Sequence, residues 1–375
     1  MDRVAPGDVG RAARAGAVLT VDLDAVCANW RLLAERAGAA VCAGVMKADA
    51  YGLGMDQVAP ALARAGCRVF FTAHLEEGMR LRTLVPADST IYVLHGGMPG
   101  SAPDFLQHEL IPVLNDPGQI AEWRSAARAQ GRVLAAALQF DTGMSRMGLT
   151  PADAGRLCAD PVLLSGIQVQ LVMSHLACAD EPGHALNELQ RQRFASLRAR
   201  LPGVPGSLAN SSAIFLGGDY HHDLVRPGAA LYGINPHPGQ PNPLRQPVRL
   251  GARIVQVREI QAGDIVGYGA RYVAEGPRRI ATISIGYADG WLRALSNRGR
   301  AFIDGIAAPI LGTVSMDSIT LDVSAIDPAR LAPGREVELL GPNQTIDDVA
   351  RDAGTIGYEV LTRLGGRFER RYLSA

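Results

Sequence analysis

The stretch 41–54, VCAGVMKADAYGLG, sets Lys47 at the end of a short apolar run and follows it with a small-residue turn holding Tyr51. A lysine emerging from a buried strand can lose its proton at modest cost, because desolvation disfavours the ammonium, and a neutral amine can form a Schiff base. Other polar groups also fall just after apolar runs: DTGMSR (141–146) with Arg146, His175, Asn210 with Ser211, and Arg226-Pro227-Gly228. Taken singly, each has an ordinary structural explanation, such as a lysine snorkelling to solvent or a turn at Asp141. Their common position at strand ends calls for a scaffold that carries strand ends to one rim.

The sequence supplies such a scaffold. Apolar runs at 41–46, 68–72, 90–94, 110–114, 132–140, 167–174, 206–209 and 223–226 alternate with helical windows such as MDQVAPALARAG, LEEGMRLRTL and PGQIAEWRSAARAQG. Eight strand–helix units in this span fit a (β/α)8 barrel, whose active-site groups sit on loops at the carboxyl ends of the strands. Periodicity alone leaves a doubly wound sheet open. A helix over 25–38, capped by Asp24, places Val26, Trp30, Leu33 and Ala37 on one face. The rim after strands seven and eight is where barrels commonly bind phosphate; Ser211 can donate a hydroxyl there and Gly228 permits close backbone approach. A lysine for an imine together with a phosphate cradle points to pyridoxal 5′-phosphate.

Beyond the proline-rich linker 235–247 the segments become short, β-branched and punctuated by Gly, Pro and Asp-Gly, with Asp304-Gly305 a hairpin signal. A Thr345/Asp348 capping pattern and a helix-like tail bearing Tyr358 close the chain. The expected organisation is a flexible N-terminus (1–15), a cofactor-binding (β/α)8 barrel (16–245) and a β-rich C-terminal domain (246–375).

Lys plus Arg and Asp plus Glu are both 37, so the net charge is zero. That gives no electrostatic footprint for nucleic acid or an anionic membrane. The five cysteines form no CxxC pair, which favours buried reduced thiols in a cytoplasmic protein, and no metal is expected. No secretory signal and no apolar run of about 18 residues are present.

The motifs VMKADAYGLG, FDTGMSRMG, MSHLACAD, ANSSA, VRPGAALYG, VGYGARY, GYADG, SMD and IGYEVL occur in the order seen in alanine racemase, and the chain resembles that family from about Val18 to Arg371. The resemblance implies a head-to-tail homodimer of a PLP-binding barrel and a β-rich domain, each site borrowing residues from the other subunit. By this carry-over Lys47 holds the cofactor as a Schiff base, and Tyr51, Ser211, Gly228, Ala229 and Tyr358 hold its phosphate. Arg226, backed by His175, faces the pyridine nitrogen. Lys47 and Tyr268 serve as the two bases on opposite faces of the substrate. Arg146 and the Met316 N–H bind the substrate carboxylate, and Tyr287 with Tyr358 narrows the entrance. Asp317 supports the Met316 loop.

Two positions depart from the family pattern. Gln139 stands where many members carry a lysine that can be carbamylated, and Ser315 stands where some carry cysteine. A neutral amide at 139 can hydrogen-bond Arg146 but cannot supply a carbamate charge. The implied activity is racemisation of alanine, supplying D-alanine for peptidoglycan. Broader amino-acid racemisation and non-catalytic PLP binding are the alternatives. A decarboxylase of similar plan is disfavoured, because that chemistry gains from a carboxylate at the ring nitrogen, where Arg226 stands.

Overall fold

Short runs of Val, Ile, Leu, Phe and Ala favour strands covered on both faces. In the computed structural model of the chain, which describes residues 14–374, they form such strands. Contacts divide the chain into two compact units. One comprises Val26–Leu231 and Asn235–Leu244; the other comprises the described residues up to Ala25, Tyr232–Ile234 and Arg245 onward.

The first strand, β1 (Ala17–Asp22), belongs to the second unit. The first unit holds β2 (Val41–Cys42), β3 (Gly44–Val45), β4 (Val69–Thr72), β5 (Thr90–Val93), β6 (Ile111–Leu114), β7 (Leu134–Gln139), β8 (Ile167–Met173), β9 (Gly206–Ser207) and β10 (Leu224–Val225). Strands β3 to β9 form one parallel sheet in sequence order. Leu224 of β10 pairs in parallel with Val41 of β2, and a bridge joins Asn210 to Arg226. Since β2 and β3 are one run broken at Ala43, the last strand closes onto the first. The eight strand positions make a barrel, not an open doubly wound sheet. Met46, Phe70, Phe71, Val93, Leu138 and Val172 are fully buried.

Helices α1 (Leu23–Ala37), α2 (Met55–Ala65), α3 (Leu75–Arg82), α4 (Ala102–Gln107), α5 (Pro117–Gln130), α6 (Pro151–Ala159) and α7 (Ala185–Arg198) occupy the connections. The cap of α1 is Asp22, whose Oδ1 accepts the Ala25 N–H at 2.8 Å, rather than Asp24.

In the second unit β11 (Val248–Ile260), β12 (Arg278–Ile283), β13 (Arg300–Ile303), β14 (Ile306–Leu311), β15 (Ile319–Asp322), β16 (Glu336–Leu340) and β17 (Glu369–Leu373) join β1 in an eight-stranded sheet. The long β11 pairs with β1, β12 and β16, all antiparallel. Asp304 and Gly305, with φ of 50° and 80°, turn β13 into β14; both left-handed centres match a two-residue hairpin. Helix α8 (Ile346–Ala353) carries the expected capping box, in which Thr345 Oγ1 accepts the Asp348 N–H and Asp348 accepts the Thr345 N–H. Helix α9 (Gly357–Thr362) follows.

Strand β1 lies at the head of the segment 16–245 expected to form the barrel. Its residues pair antiparallel with Val248–Ala252 and parallel with β17, while the barrel's eight positions are filled without it. The expected flexible segment 1–15 lies almost wholly outside the described residues. Cys27, Cys42, Cys67 and Cys178 form no disulfide. Burial pushes the Cys67 thiol up to about 12. No described helix is long and apolar enough to cross a membrane, and no group of possible metal ligands occurs among the described residues.

Candidate active site

Lys47 sits directly after β3 and the fully buried Met46. The next four residues, Ala48, Asp49, Ala50 and Tyr51, have φ of 53°, 54°, 55° and 56°. They form one left-handed turn, with Ala50 N–H donating to the Met46 carbonyl at 2.9 Å and Gly52 N–H to that of Ala48 at 2.7 Å. Left-handed backbone costs L-residues ~1–2 kcal/mol each, so the turn stores on the order of 4–8 kcal/mol. It is restrained from outside: Glu77 accepts the Ala48 N–H at 2.7 Å, and Asp49 accepts the Met55 N–H at 2.9 Å. The Lys47 Nζ lies 5.9 Å from the centroid of the Tyr51 ring. Burial lowers the proton affinity of Lys47, the positive charge of Arg146 lowers it further, and Glu77 partly opposes both.

The Tyr51 hydroxyl reaches the turn after β10. A Cβ added to Gly228 would lie 2.2 Å from the Tyr51 Oη, so only glycine leaves room for the hydroxyl there. Beside it, the buried Ser211 Oγ accepts the N–H groups of Gly228 at 2.9 Å and Ala230 at 3.1 Å. A hydroxyl that accepts twice keeps its own proton for a further acceptor. Two hydroxyls set against the Gly228 backbone fit a phosphate, and one of them, that of Tyr51, ends the turn that presents Lys47. Ala229 lies within this turn, at the start of a short helical segment, Ala229–Tyr232.

Arg226 is 4% exposed and donates to Ser207 Oγ and, at 2.5 Å, to the Ser174 carbonyl. Among the described residues no carboxylate pairs with it. Burial lowers its pKa to about 9, so it stays cationic at neutral pH. The pKa of His175 is pushed down to about 3 by burial and by the positive charges of Arg226, Arg146 and Lys47, which leaves the imidazole neutral.

Gln190, fully buried on α7, holds this part of the rim. It accepts the Ala177 N–H and donates to the His175 carbonyl and to Thr142 Oγ1, which in turn bonds Ser174 Oγ at 2.7 Å. Sequence reasoning passed over Gln190, because a glutamine in a helix carries no local sign of what it reaches.

Asp141 Oδ1 accepts the N–H groups of Gly143, Met144 and Ser145 at 2.8, 3.0 and 3.1 Å, folding the DTGMSR turn that presents the exposed Arg146. The hydrogen bond that an amide at 139 could make to Arg146 is not present among the described residues. Gln139 is buried at the end of β7 while Arg146 projects from the rim. Close by, burial and the neighbouring His74, Lys47 and Arg146 lower the proton affinity of His95, with Glu77 as the opposing negative charge. Such a positive rim suits an anionic ligand.

The other expected residues lie in the β-rich unit. Tyr268 starts a short helical turn between Gly267 and Gly269, its carbonyl accepts the Thr313 hydroxyl at 2.9 Å, and it is 76% exposed. The Tyr287 and Met316 loops are zipped together: Tyr287 N–H donates to the Ser315 carbonyl and Ala288 N–H to that of Met316, both at 3.0 Å. Arg367 joins them from behind through Asp289 and Asp317, at 2.8 and 2.7 Å. That contact gives Asp317 the supporting part expected of it. Tyr358, on α9, is 39% exposed.

Two family models match the chain: "Alanine racemase, N-terminal domain" over residues 21–236 and "Alanine racemase, C-terminal domain" over 247–372. Among curated relatives, "Alanine racemase, catabolic" of Mesorhizobium japonicum is 54% identical over 96% of this chain and 94% of its own length. The alanine racemase of Methylobacterium nodulans is 52% identical over 96% of each. Among solved structures, alanine racemase from Bartonella henselae with covalently bound pyridoxal phosphate superposes with a TM-score of 0.93 at 41% identity, covering 96% of this chain and all of that one. Alanine racemase from Streptomyces coelicolor A3(2) gives 0.91 at 35% identity, covering 97% and 99%.

Proposed function

The chain belongs to the alanine racemase family, and from that premise we propose that it interconverts L-alanine and D-alanine with pyridoxal 5′-phosphate held on Lys47. Bound there, the cofactor makes the α-proton of an amino acid acidic. Lys47 is the chain's only lysine, and it sits beside a glycine-lined pair of hydroxyls. That combination carries the reading.

Tyr51, Ser211, Gly228, Ala229 and Tyr358 hold the phosphate. Arg226, a donor that keeps its proton, would be the partner of the pyridine nitrogen and would leave it unprotonated, which would weaken the electron sink and limit side reactions. His175, neutral beside Arg226, backs it. Racemisation needs a proton acceptor on one face of Cα and a donor on the other. Lys47 Nζ serves one face and Tyr268 Oη the other. Arg146 and the Met316 N–H take the substrate carboxylate, while Tyr287 and Tyr358 favour a small side chain.

The exposure of Tyr268 and Met316, 76% and 51%, supports a head-to-tail homodimer in which each site borrows residues from the other subunit. Supply of D-alanine for peptidoglycan in the cytoplasm is the proposed role. The catabolic name of the Mesorhizobium relative favours a second reading, the breakdown of D-alanine. Rescue of a D-alanine auxotroph at native expression supports supply. Induction only when alanine is the carbon source supports breakdown.

The decisive assay is α-proton exchange and racemisation across a panel of L- and D-amino acids with added PLP. Alanine should react fastest, and Lys47→Ala should abolish both the yellow colour and the activity. A colourless parent, or a Lys47→Ala protein that stays yellow, overturns the assignment. Comparable rates for serine and larger amino acids would replace it with a broad-specificity racemase.

A further inference from the structure

Lys47 and Tyr51 are separated by three residues that L-amino acids adopt in this conformation only under restraint. What restrains them comes largely from α3, the helix after the neighbouring strand. Glu77, at the third position of α3, accepts the N–H groups of Ala73 and His74 with Oε2, at 2.8 and 3.1 Å. Its other oxygen, Oε1, takes the Ala48 N–H at 2.7 Å. Ala48 is the first residue of the left-handed turn and directly follows Lys47. One carboxylate thus caps α3 and grips the turn.

One helical turn further along the same face, Arg80 reaches the Asp49 carboxylate at 3.3 Å and that of Asp56 at 2.8 Å. The Arg80 pairs are half exposed and so worth little. Glu77 is itself half-buried, and its carboxylate takes three N–H groups in charge-assisted bonds, the Ala73 one partly buried and the Ala48 and His74 ones exposed; together the three make the stronger grip.

We propose that Glu77 is a positioning residue for the cofactor: by fixing the Ala48 amide it locks the left-handed turn, so that the Lys47 amine and the Tyr51 hydroxyl address opposite ends of one ligand at a set separation. The proposal rests on the reading of Lys47 and Tyr51 as cofactor residues. Glu77 has a second effect through its charge, because it favours the Lys47 ammonium against burial and Arg146. An amide at 77 keeps one acceptor but turns a donor toward the remaining N–H groups, and it removes the charge.

The test uses the full chain with PLP, comparing Glu77→Ala, Glu77→Gln and Arg80→Ala with the parent. Retention of PLP is followed by visible absorbance during dialysis. Borohydride trapping with peptide mapping reports where the cofactor is attached. Glu77→Ala should release PLP about tenfold faster or more, as expected for loss of a charge-assisted bond, with Glu77→Gln between it and the parent. Arg80→Ala should change release less than about twofold.

In cofactor-free full chain, the pH midpoint for acylation of Lys47 should fall in Glu77→Gln, a shift that a purely structural role would not produce. Hydrogen exchange should quicken at the Ala48 amide before the rest of the barrel. Both Glu77 variants retaining PLP within twofold of the parent would overturn the proposal, as would an unchanged acylation midpoint in Glu77→Gln. If Glu77→Ala fails to fold, the isosteric Glu77→Gln decides by the same two readouts. A trapped cofactor mapped away from Lys47 in the parent would instead overturn the reading of the site itself.

Discussion

Arginine fills every basic position of this chain but one. A guanidinium serves as well as an ammonium wherever only positive charge is needed, but it does not deprotonate and cannot become a nucleophilic amine. Lys47 is therefore the one position where the chemistry of an amine was worth keeping. That signal lay in the sequence as a plain count, independent of any motif. Strand-end polar residues were equally legible, because a rim gathers them whatever their spacing. Gln190 and Glu77 were not, since both act on backbone groups far away in sequence. At Gly228, substitution by alanine should push the Tyr51 hydroxyl aside. The displaced atom ends a side chain that can swing, so the thermal midpoint should move little while PLP affinity, measured by titrating cofactor-free protein, drops about tenfold or more. His175 sets an acid limit. Its folded pKa of about 3 lies below the ordinary 6.5, so between these values the unfolded chain binds a proton that the native chain refuses. Stability is complete above 6.5 and falls as pH is lowered, by on the order of 1 kcal/mol per unit. Urea midpoints from pH 7 to 4 should decline less steeply in His175→Asn than in the parent.

Among the elements, the alternation of strands and helices could be read directly, since period and punctuation are local properties. Closure could not, because it depends on Leu224–Val225 meeting Val41–Cys42 across most of the barrel sequence. The strand Glu369–Leu373 also escaped notice, its ERRYL sequence being too charged to look like sheet. Least legible was the left-handed turn. KADAY offers alanines, good formers of right-handed helix, and nothing local announces the opposite hand. Its strain makes a specific prediction for the exposed Ala48: Ala48→Gly should stabilise cofactor-free protein by ~0.5–1 kcal/mol, and Ala48→Val should destabilise it by ~1–2 kcal/mol. Urea denaturation measures both, and a destabilising glycine would count against the turn as drawn.

For the whole molecule, the proposed sharing of sites between two subunits implies that two defects on different chains can complement. Protomers carrying Lys47→Ala and protomers carrying Tyr268→Phe, each inactive alone, should regain activity on mixing, up to about a quarter of the parent value if subunits exchange at random and one intact site suffices. No recovery despite exchange demonstrated by mass spectrometry would show that each site is built from one chain. The placement of β1 was not legible, because AVLTVD reads as a strand without revealing its partners. Those partners are Val248–Ala252 and, alongside, Glu369–Leu373. This placement has a kinetic side. During synthesis the barrel's strands meet neighbours made shortly before them, whereas β1 emerges early, meets its first partner only when Val248–Ala252 has been made, and gains its second only with Glu369–Leu373. The first described strand thus waits through the whole barrel sequence to be seated, and until then its apolar edge is open to the help of a chaperone.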